Sequence, residues 1–354
     1  MTPGMKIKAF AAAAALALAA PAAVATAAPD PALQGPVQCD RACLQSTVDQ
    51  VLAAMVAHDA SKAPLAPGVR YTENGQTLAL NDGFWNTASG RGKYSHYFLD
   101  PRTNQAGFMG VVTENGDGVI MAMRIALQGR QVSEIETVMG RSGLGTAGPA
   151  GGVGAKNLEA MGKPDDIWSR DIPAAERATR EDVVRVANMY FSGLQNNDGK
   201  GDYSFFADDC YRLENGSPTT SGPHTPPPAP PPAAAAAPAG GAAAPPRRGP
   251  NMLSLGCKQG FQTGFFRIVT RIRDRRFPLV DEDKGVAFAF GFFDHAGNVH
   301  DFPLSDGTIS PGGIKAPFTW EIAEAFRVEK GKIKTVEAVL NNAPYGMKAG
   351  WDGK

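Results

Sequence analysis

The 354-residue chain carries 35 Lys+Arg against 35 Asp+Glu, so its formal net charge is zero. That balance excludes a generally basic nucleic-acid binder and an acidic solvating chain. Hydrophobic residues at 43% supply enough apolar material for a core, whereas 41 Gly and 28 Pro exceed ordinary globular usage and imply loop or disorder in part of the chain.

The chain opens with an export pattern: Lys6 and Lys8, an Ala/Leu-rich stretch from Ala9 to Ala20, then small residues around Ala25-Thr26-Ala27. Residues 1–27 are therefore expected to be a signal peptide cleaved after Ala27. The alternative, an anchoring helix, conflicts with Pro21 and with the shortness of the apolar run. A secreted or periplasmic location follows, with no stable membrane insertion.

A helix is expected over Leu44 to His58, with Val48, Leu52 and Met55 on one face. Arg70-Tyr71-Thr72-Glu73-Asn74-Gly75 comes next and is followed by Gly83-Phe84-Trp85. Strands are expected at Tyr94 to Leu99, Gly107 to Thr113, Val119 to Leu127 and Val132 to Met139, separated by turn signals. Residues 140–179 read as a linker; Gly143-Leu144-Gly145-Thr146-Ala147-Gly148 spells a dinucleotide-binding pattern but is followed by Pro149 and more glycines where a helix should begin.

The same order then recurs. A helix over Arg180 to Leu194 leads to Tyr211-Arg212-Leu213-Glu214-Asn215-Gly216, which shares the Glu-Asn-Gly end, and Gly260-Phe261-Gln262 stands for the earlier Gly-Phe segment. Strands are expected at Phe265 to Ile272, Gly285 to Phe293, Thr319 to Val328 and Ile333 to Leu340. The closing strands match, with Val132 to Met139 lying over Ile333 to Leu340 in both apolar and acidic positions. Residues 217–250, rich in Pro and Ala, lack apolar periodicity and are expected to be a disordered insertion. Cys210 and Cys257 flank it, so a bridge between them would close its base, and Cys39 and Cys43 could form a second, tight bridge. The alternative is four free thiols or metal ligands; zinc is disfavoured because the Cys39/Cys43 spacing has no matching half or nearby His. No metal or cofactor is expected.

This duplicated order of helix, small strand, helix and sheet resembles the nuclear transport factor 2-like superfamily, which includes SnoaL-like cyclases and ketosteroid isomerase. The resemblance covers 39–139 and 180–340 as two tandem domains. It also extends to secreted tandem proteins of unknown function with segments similar to Tyr71 to Asn74 and Ile172 to Arg177. It implies an α+β fold in which two cone-shaped, curved antiparallel sheets wrap around helices, pack against each other within the chain, and hold a hydrophobic small molecule at an open end. In enzymes of this superfamily an inward carboxylate or His moves a proton while a donor such as Tyr stabilises the oxyanion, so the implied activity is a cofactor-independent lyase or isomerase.

Glu73 and Glu214 are the proton-carrier candidates, because both repeats keep a carboxylate at that place. His96 joins them, since strand alternation puts it on one face with Tyr94. Tyr71, Tyr211, Arg70, Arg212, Tyr94, Trp85 and His300 are the ligand-binding candidates. Against this stands a plainer reading of Glu-Asn-Gly as a strand end and turn. His300 is placed in a strand-like run and His295 in an exposed turn. Arg267, Arg271, Arg273 and Arg275 are expected to share one solvated strand face, an economical alternative to nucleic-acid binding. A noncatalytic binding or interaction module is the second functional reading.

Overall fold

Apolar residues at helical spacing define the first element, α1 (Arg41–Val56), whose buried face comprises Leu44, Val48, Val51, Leu52 and Met55. Asp40 caps it by accepting from Cys43 N at 2.8 Å. The computed structural model describes Met1 and residues 38–141, 153–227 and 248–351. The expected signal peptide, the Gly143–Gly148 pattern and most of the Pro/Ala tract lie outside the described residues.

The first sheet is built from β1 (Leu65–Glu73), β2 (Gln76–Thr77), β3 (Ala88–Asp100), β4 (Gln105–Glu114), β5 (Asp117–Gln128) and β6 (Gln131–Gly140), in the order β2-β1-β6-β5-β4-β3. A short helix, α2 (Phe84–Thr87), precedes β3. The second half follows the same plan. Helix α5 (Arg180–Gln195) leads to β7 (Phe206–Glu214), β8 (Ser217–Pro218), α6 (Cys257–Gln262), β9 (Arg271–Asp281), β10 (Val286–His295), β13 (Phe318–Glu329) and β14 (Lys332–Ala343), with sheet order β8-β7-β14-β13-β10-β9. Between the halves lie α3 (Gly154–Met161) and α4 (Asp166–Ser169), and a two-stranded ribbon of β11 (Phe302–Pro303) and β12 (Ile309–Ser310) follows β10. The fold is therefore α+β with two six-stranded sheets of identical order. The sheets are not wholly antiparallel: β1 pairs with β6, and β7 with β14, in parallel. Hairpin signals in sequence cannot report a pairing between the first and last strands of a unit.

The shared Glu-Asn-Gly segment has a local cause. Asn74 and Gly75 (φ 48 and 72), like Asn215 and Gly216 (φ 44 and 69), take the left-handed pair that a two-residue hairpin turn requires. Each Asn also ties its hairpin to the closing strand, Asn74 Oδ1 accepting from Met139 N at 2.8 Å and Asn215 Oδ1 from Leu340 N at 2.9 Å. Asn215 is thereby buried and spent on the backbone.

The central strands of each sheet are buried on both faces. One face of the first covers α1 through Met121, Met123, Ile125, Ile135 and Met139, and one face of the second covers α5 through Ile322, Phe326, Val336 and Leu340. The opposite faces meet each other, with Tyr94, Phe98, Met109 and Val138 packed among Phe288, Phe290, Ala323 and Val339, and with Leu158 and Trp168 of the connecting helices closing the cluster. Phe98 stacks on Phe288 with ring centres 4.9 Å apart.

Polar groups along this seam are paired reciprocally. Arg41, the first residue of α1, reaches Asp281 at the end of β9 at 2.6 Å, and Arg180, the first residue of α5, reaches Asp100 at the end of β3 at 2.5 Å. Deeper in, Glu337 binds His96 and Glu136 binds Arg276. His96 lies opposite Met109 and Ala122 along its sheet, and Arg276 lies opposite Phe290 and Ala323 along the other. The two pairs thus occupy equivalent places in the two repeats. Arg124 adds to Glu136 at 2.9 Å.

Several expectations are corrected here. The segment expected as a strand from Phe265 is a short 3-10 turn, Phe265–Ile268, and the strand begins at Arg271. Its arginines do not all share a face: Arg271 and Arg273 do, and the later ones depart from it. One extra residue between the pairs Arg273↔Phe292 and Arg276↔Phe290, with Asp274 at φ 52, bulges β9 and breaks the alternation. Arg271 and Arg273 bind Asp294, Arg275 turns to Asn188 and Ser192 of α5, and Arg276 enters the seam. His295 is buried at the end of β10, not exposed in a turn; it stacks on Phe318, and burial lowers its pKa to about 4. His300 sits in an irregular loop, bonded to Gly297 O at 2.8 Å. Residues 217–227, expected within the disordered insertion, form β8 and a tight return: Thr220 Oγ1 accepts from Arg212 N and His224 meets Asp165. Both expected disulfides are present, Cys39–Cys43 and Cys210–Cys257.

Asp100 is fully buried and also accepts from Val280 N across the seam at 3.1 Å. Asp100→Ala leaves Arg180 without its partner and should destabilise the chain by roughly 3 kcal/mol, read as a lowered urea midpoint; a midpoint unchanged from wild type would show that the clasp contributes nothing.

Candidate functional site

The interior of the second repeat holds a buried polar cluster. Alternation along β13 points Ile322, Glu324 and Phe326 toward α5. Glu324 is 2% exposed, and its Oε2 has no hydrogen-bond partner. Tyr190 of α5 lies beside Glu324, and its hydroxyl accepts from Arg212 Nη1 at 2.8 Å. Arg212, on β7, is itself buried, lies 5.1 Å over the Phe266 ring, and stands 3.7 Å from Glu214. Glu214 is the member nearest solvent, with its side chain 16% exposed.

Burial, and secondarily the charge of Glu214, raise the Glu324 pKa to about 8 against the partial relief given by Arg212 and Tyr190. Burial also holds the Tyr190 hydroxyl well above its ordinary range. The arrangement sets a carboxyl that exchanges its proton near neutral pH beside a guanidinium and a phenol, which can stabilise negative charge developing on a bound molecule.

The equivalent space in the first repeat has different chemistry. Met123 stands where Glu324 does, each paired through the closing strand to the Glu of Glu-Asn-Gly: Met123↔Thr137↔Glu73 and Glu324↔Ala338↔Glu214. Glu73 is fully engaged. Its Oε2 accepts from Tyr71 OH and Phe84 N, both at 2.7 Å, and its Oε1 from Arg141 at 2.6 Å. Arg141 also binds Glu114. Trp85 packs edge-on to Tyr71 and is buried, with its Nε1 unpartnered.

The candidates named from sequence therefore fall into three places. Tyr71, Glu73 and Trp85 lie together inside the first repeat, and Arg212 and Glu214 inside the second. Arg70, Tyr94, His96 and Tyr211 point to the opposite faces. Arg70 lies 4.1 Å over the Trp351 ring, Tyr211 donates to Asp165 at 2.5 Å, and Tyr94 donates to Glu337 at 3.0 Å. Tyr94 and His96 do share a face, but it is the seam face and not the helix-facing interior. His300 bonds within its own loop, to Gly297 O and Pro311 O. Glu324, Tyr190 and Arg141 were missed. Strand alternation carries a signal for Glu324, an acid between Ile322 and Phe326 on the core face.

A family described as "Domain of unknown function (DUF8021)" matches residues 176–340, which is the second repeat. No curated protein matches the chain. A solved structure described as "Crystal structure of a de novo designed protein with curved beta-sheet" is similar over 46% of this chain and 88% of its own, at 12% identity and a TM-score of 0.25. Among the described residues no helix is long and apolar enough to cross a membrane, and no group of His, Cys, Asp or Glu is placed to hold a metal ion.

The raised Glu324 pKa fixes the sign of a pH effect. The folded chain binds this proton more tightly than the unfolded chain, whose ordinary value is 4.5, so the group's favourable contribution is complete below 4.5 and is lost as pH rises to about 8. Glu324→Gln removes that slope, and the variant should gain on the order of 4 kcal/mol relative to wild type between those limits. Urea unfolding at both pH values measures it; a constant difference would place the Glu324 pKa near its ordinary value.

Proposed function

We propose that the protein is an exported, small-molecule-binding member of the nuclear transport factor 2-like superfamily, built as two cone-like units, whose second repeat carries a proton-transfer site. Glu324 is the proton carrier, Arg212 and Tyr190 stabilise developing negative charge, and Glu214 connects the cluster to solvent. The reaction class is a cofactor-independent isomerisation or elimination on a hydrophobic substrate. The observation that carries this reading is the buried Glu324 carboxyl, with an unpartnered oxygen and a pKa raised to about 8. The two disulfides support export.

The first repeat is read as a scaffold. Glu73, engaged by Tyr71, Phe84 and Arg141, serves as an anchor for α2, and Met123 fills the place of the acid. A binding module without turnover remains the second reading, favoured by how completely the polar groups of the first interior are satisfied.

Native mass spectrometry of protein purified from its own host, followed by incubation of the released ligand with fresh protein in deuterium oxide, tests both. Wild-type protein should retain a small molecule and exchange one of its carbon-bound protons, and Glu324→Gln should retain the molecule and exchange it about 100-fold more slowly. Retention without exchange in wild type supports the binding module. No retained molecule, or equal exchange by the variant, rejects the proposed site.

A further inference from the structure

Beyond β14 the chain leaves the second repeat and comes to lie on the first. Residues 344–351 form turns and irregular backbone, tied down by side-chain hydrogen bonds. Gly346 N donates to Thr319 Oγ1 at 3.1 Å and Arg273 donates to Met347 O, both within the second repeat, whereas Trp351 Nε1 donates to Thr72 Oγ1 of β1 at 2.9 Å. On the way the segment passes directly over the Glu-Asn-Gly turn of the first repeat. A Cβ on Gly350 would lie 2.7 Å from Gly75 O, and one on Gly75 would lie 2.8 Å from Met347 Cε, so the close crossing needs glycine at both positions.

Trp351 is the buried end of this segment, 3% exposed. The guanidinium groups of Arg70 and Arg124 stand over its ring at 4.1 and 4.8 Å. Both groups stay charged at any ordinary pH, so the attraction to a π face does not depend on titration. Arg124 is also fixed without the indole, because Glu136, Glu134 and Gln105 accept its N–H groups. The walls of the socket thus belong to β1 and β5 and keep their shape when the ring leaves. Its chemistry is set by its occupant: a flat aromatic face for two cations, and one N–H for the Thr72 hydroxyl.

The rest of the segment is loosely held. Residues 344–346 and Lys348 are exposed, and an irregular end with few buried contacts opens at low free energy. Beneath it lies Glu321, 4% exposed, whose Oε1 would be 3.5 Å from that same Gly75 Cβ and whose Oε2 has no hydrogen-bond partner. A buried polar atom left unsatisfied weighs against the closed arrangement. We infer that residues 344–351 are an exchangeable strap, and that the socket under Trp351 is a binding site for a free indole-class molecule, which takes the ring's place when the strap lifts. The site lies on the seam face of the first sheet, apart from the Glu324 cluster in the second interior.

Amide hydrogen exchange of the wild-type full chain, with and without saturating indole, tests the inference. Bound indole keeps the strap lifted, so exchange at Gly346 should rise about 100-fold while the amides of α5 are unchanged. Trp351→Ala removes the competing ring and should bind indole about 100-fold more tightly than wild type in titration calorimetry. Benzofuran, which has an ether oxygen in place of the N–H, should bind that variant about tenfold more weakly than indole, and adding Thr72→Val should erase the difference. Exchange at Gly346 that indole leaves unmoved in wild type would overturn the inference, whether or not the variants fold. Equal indole affinity in wild type and Trp351→Ala, or equal binding of indole and benzofuran by Trp351→Ala, would overturn it as well.

Discussion

The central strands of each sheet are buried on both faces, and the arrangement of polar groups follows from that constraint. One face is covered by the sheet's own helix and the other by the sister sheet, so β10 is buried along its whole length. A charge on the seam face can stay only if it meets a partner there. The repeats meet this demand reciprocally: Arg41–Asp281 answers Arg180–Asp100, and His96–Glu337 answers Arg276–Glu136. In this light His96 takes the position that an arginine takes in the other repeat, and its pairing with Glu337 is first a structural requirement. Glu321 on the same face is the exception, its carboxyl raised well above the ordinary range by burial and then by Glu136.

The helix-facing interiors have diverged within this common frame. Around Glu73 each carboxylate oxygen is engaged, Arg141 closes the group, and methionines occupy the neighbouring inward positions of β5. Around Glu214 the neighbours are Arg212, Tyr190 and Glu324, and one oxygen of Glu324 has no partner. An unsatisfied buried carboxyl costs stability, and such a cost is characteristic of sites retained for binding or chemistry.

Much of this was legible from sequence. Helical spacing gave α1 and α5, turn signals gave β4, β5 and β6, and the matching closing strands gave the duplication. The Glu-Asn-Gly resemblance was visible, but its meaning lay in backbone geometry: Asn74 and Asn215 supply a left-handed turn residue and an amide for the closing strand. The parallel pairing of β1 with β6 was illegible because no local pattern links strands so far apart. The arginines of β9 were misplaced because a bulge resets the alternation after Arg273. Alternation placed His96 and Tyr94 on one face, as the structure has them. Alternation says which residues share a face, but not whether that face meets the helix or the other sheet.

The claim that the second interior holds a functional acid rests on the protonation state of one group, which can be observed directly. Carbon-13 NMR of glutamate carboxyls in the full chain, with Glu324→Gln identifying the resonance, follows that group through pH. A carboxyl titrating near 8 in wild type and absent from the variant is the expected result. A Glu324 resonance that titrates near 4.5 would mean an ordinary, solvated carboxylate, and the acid/base role of this cluster would be contradicted.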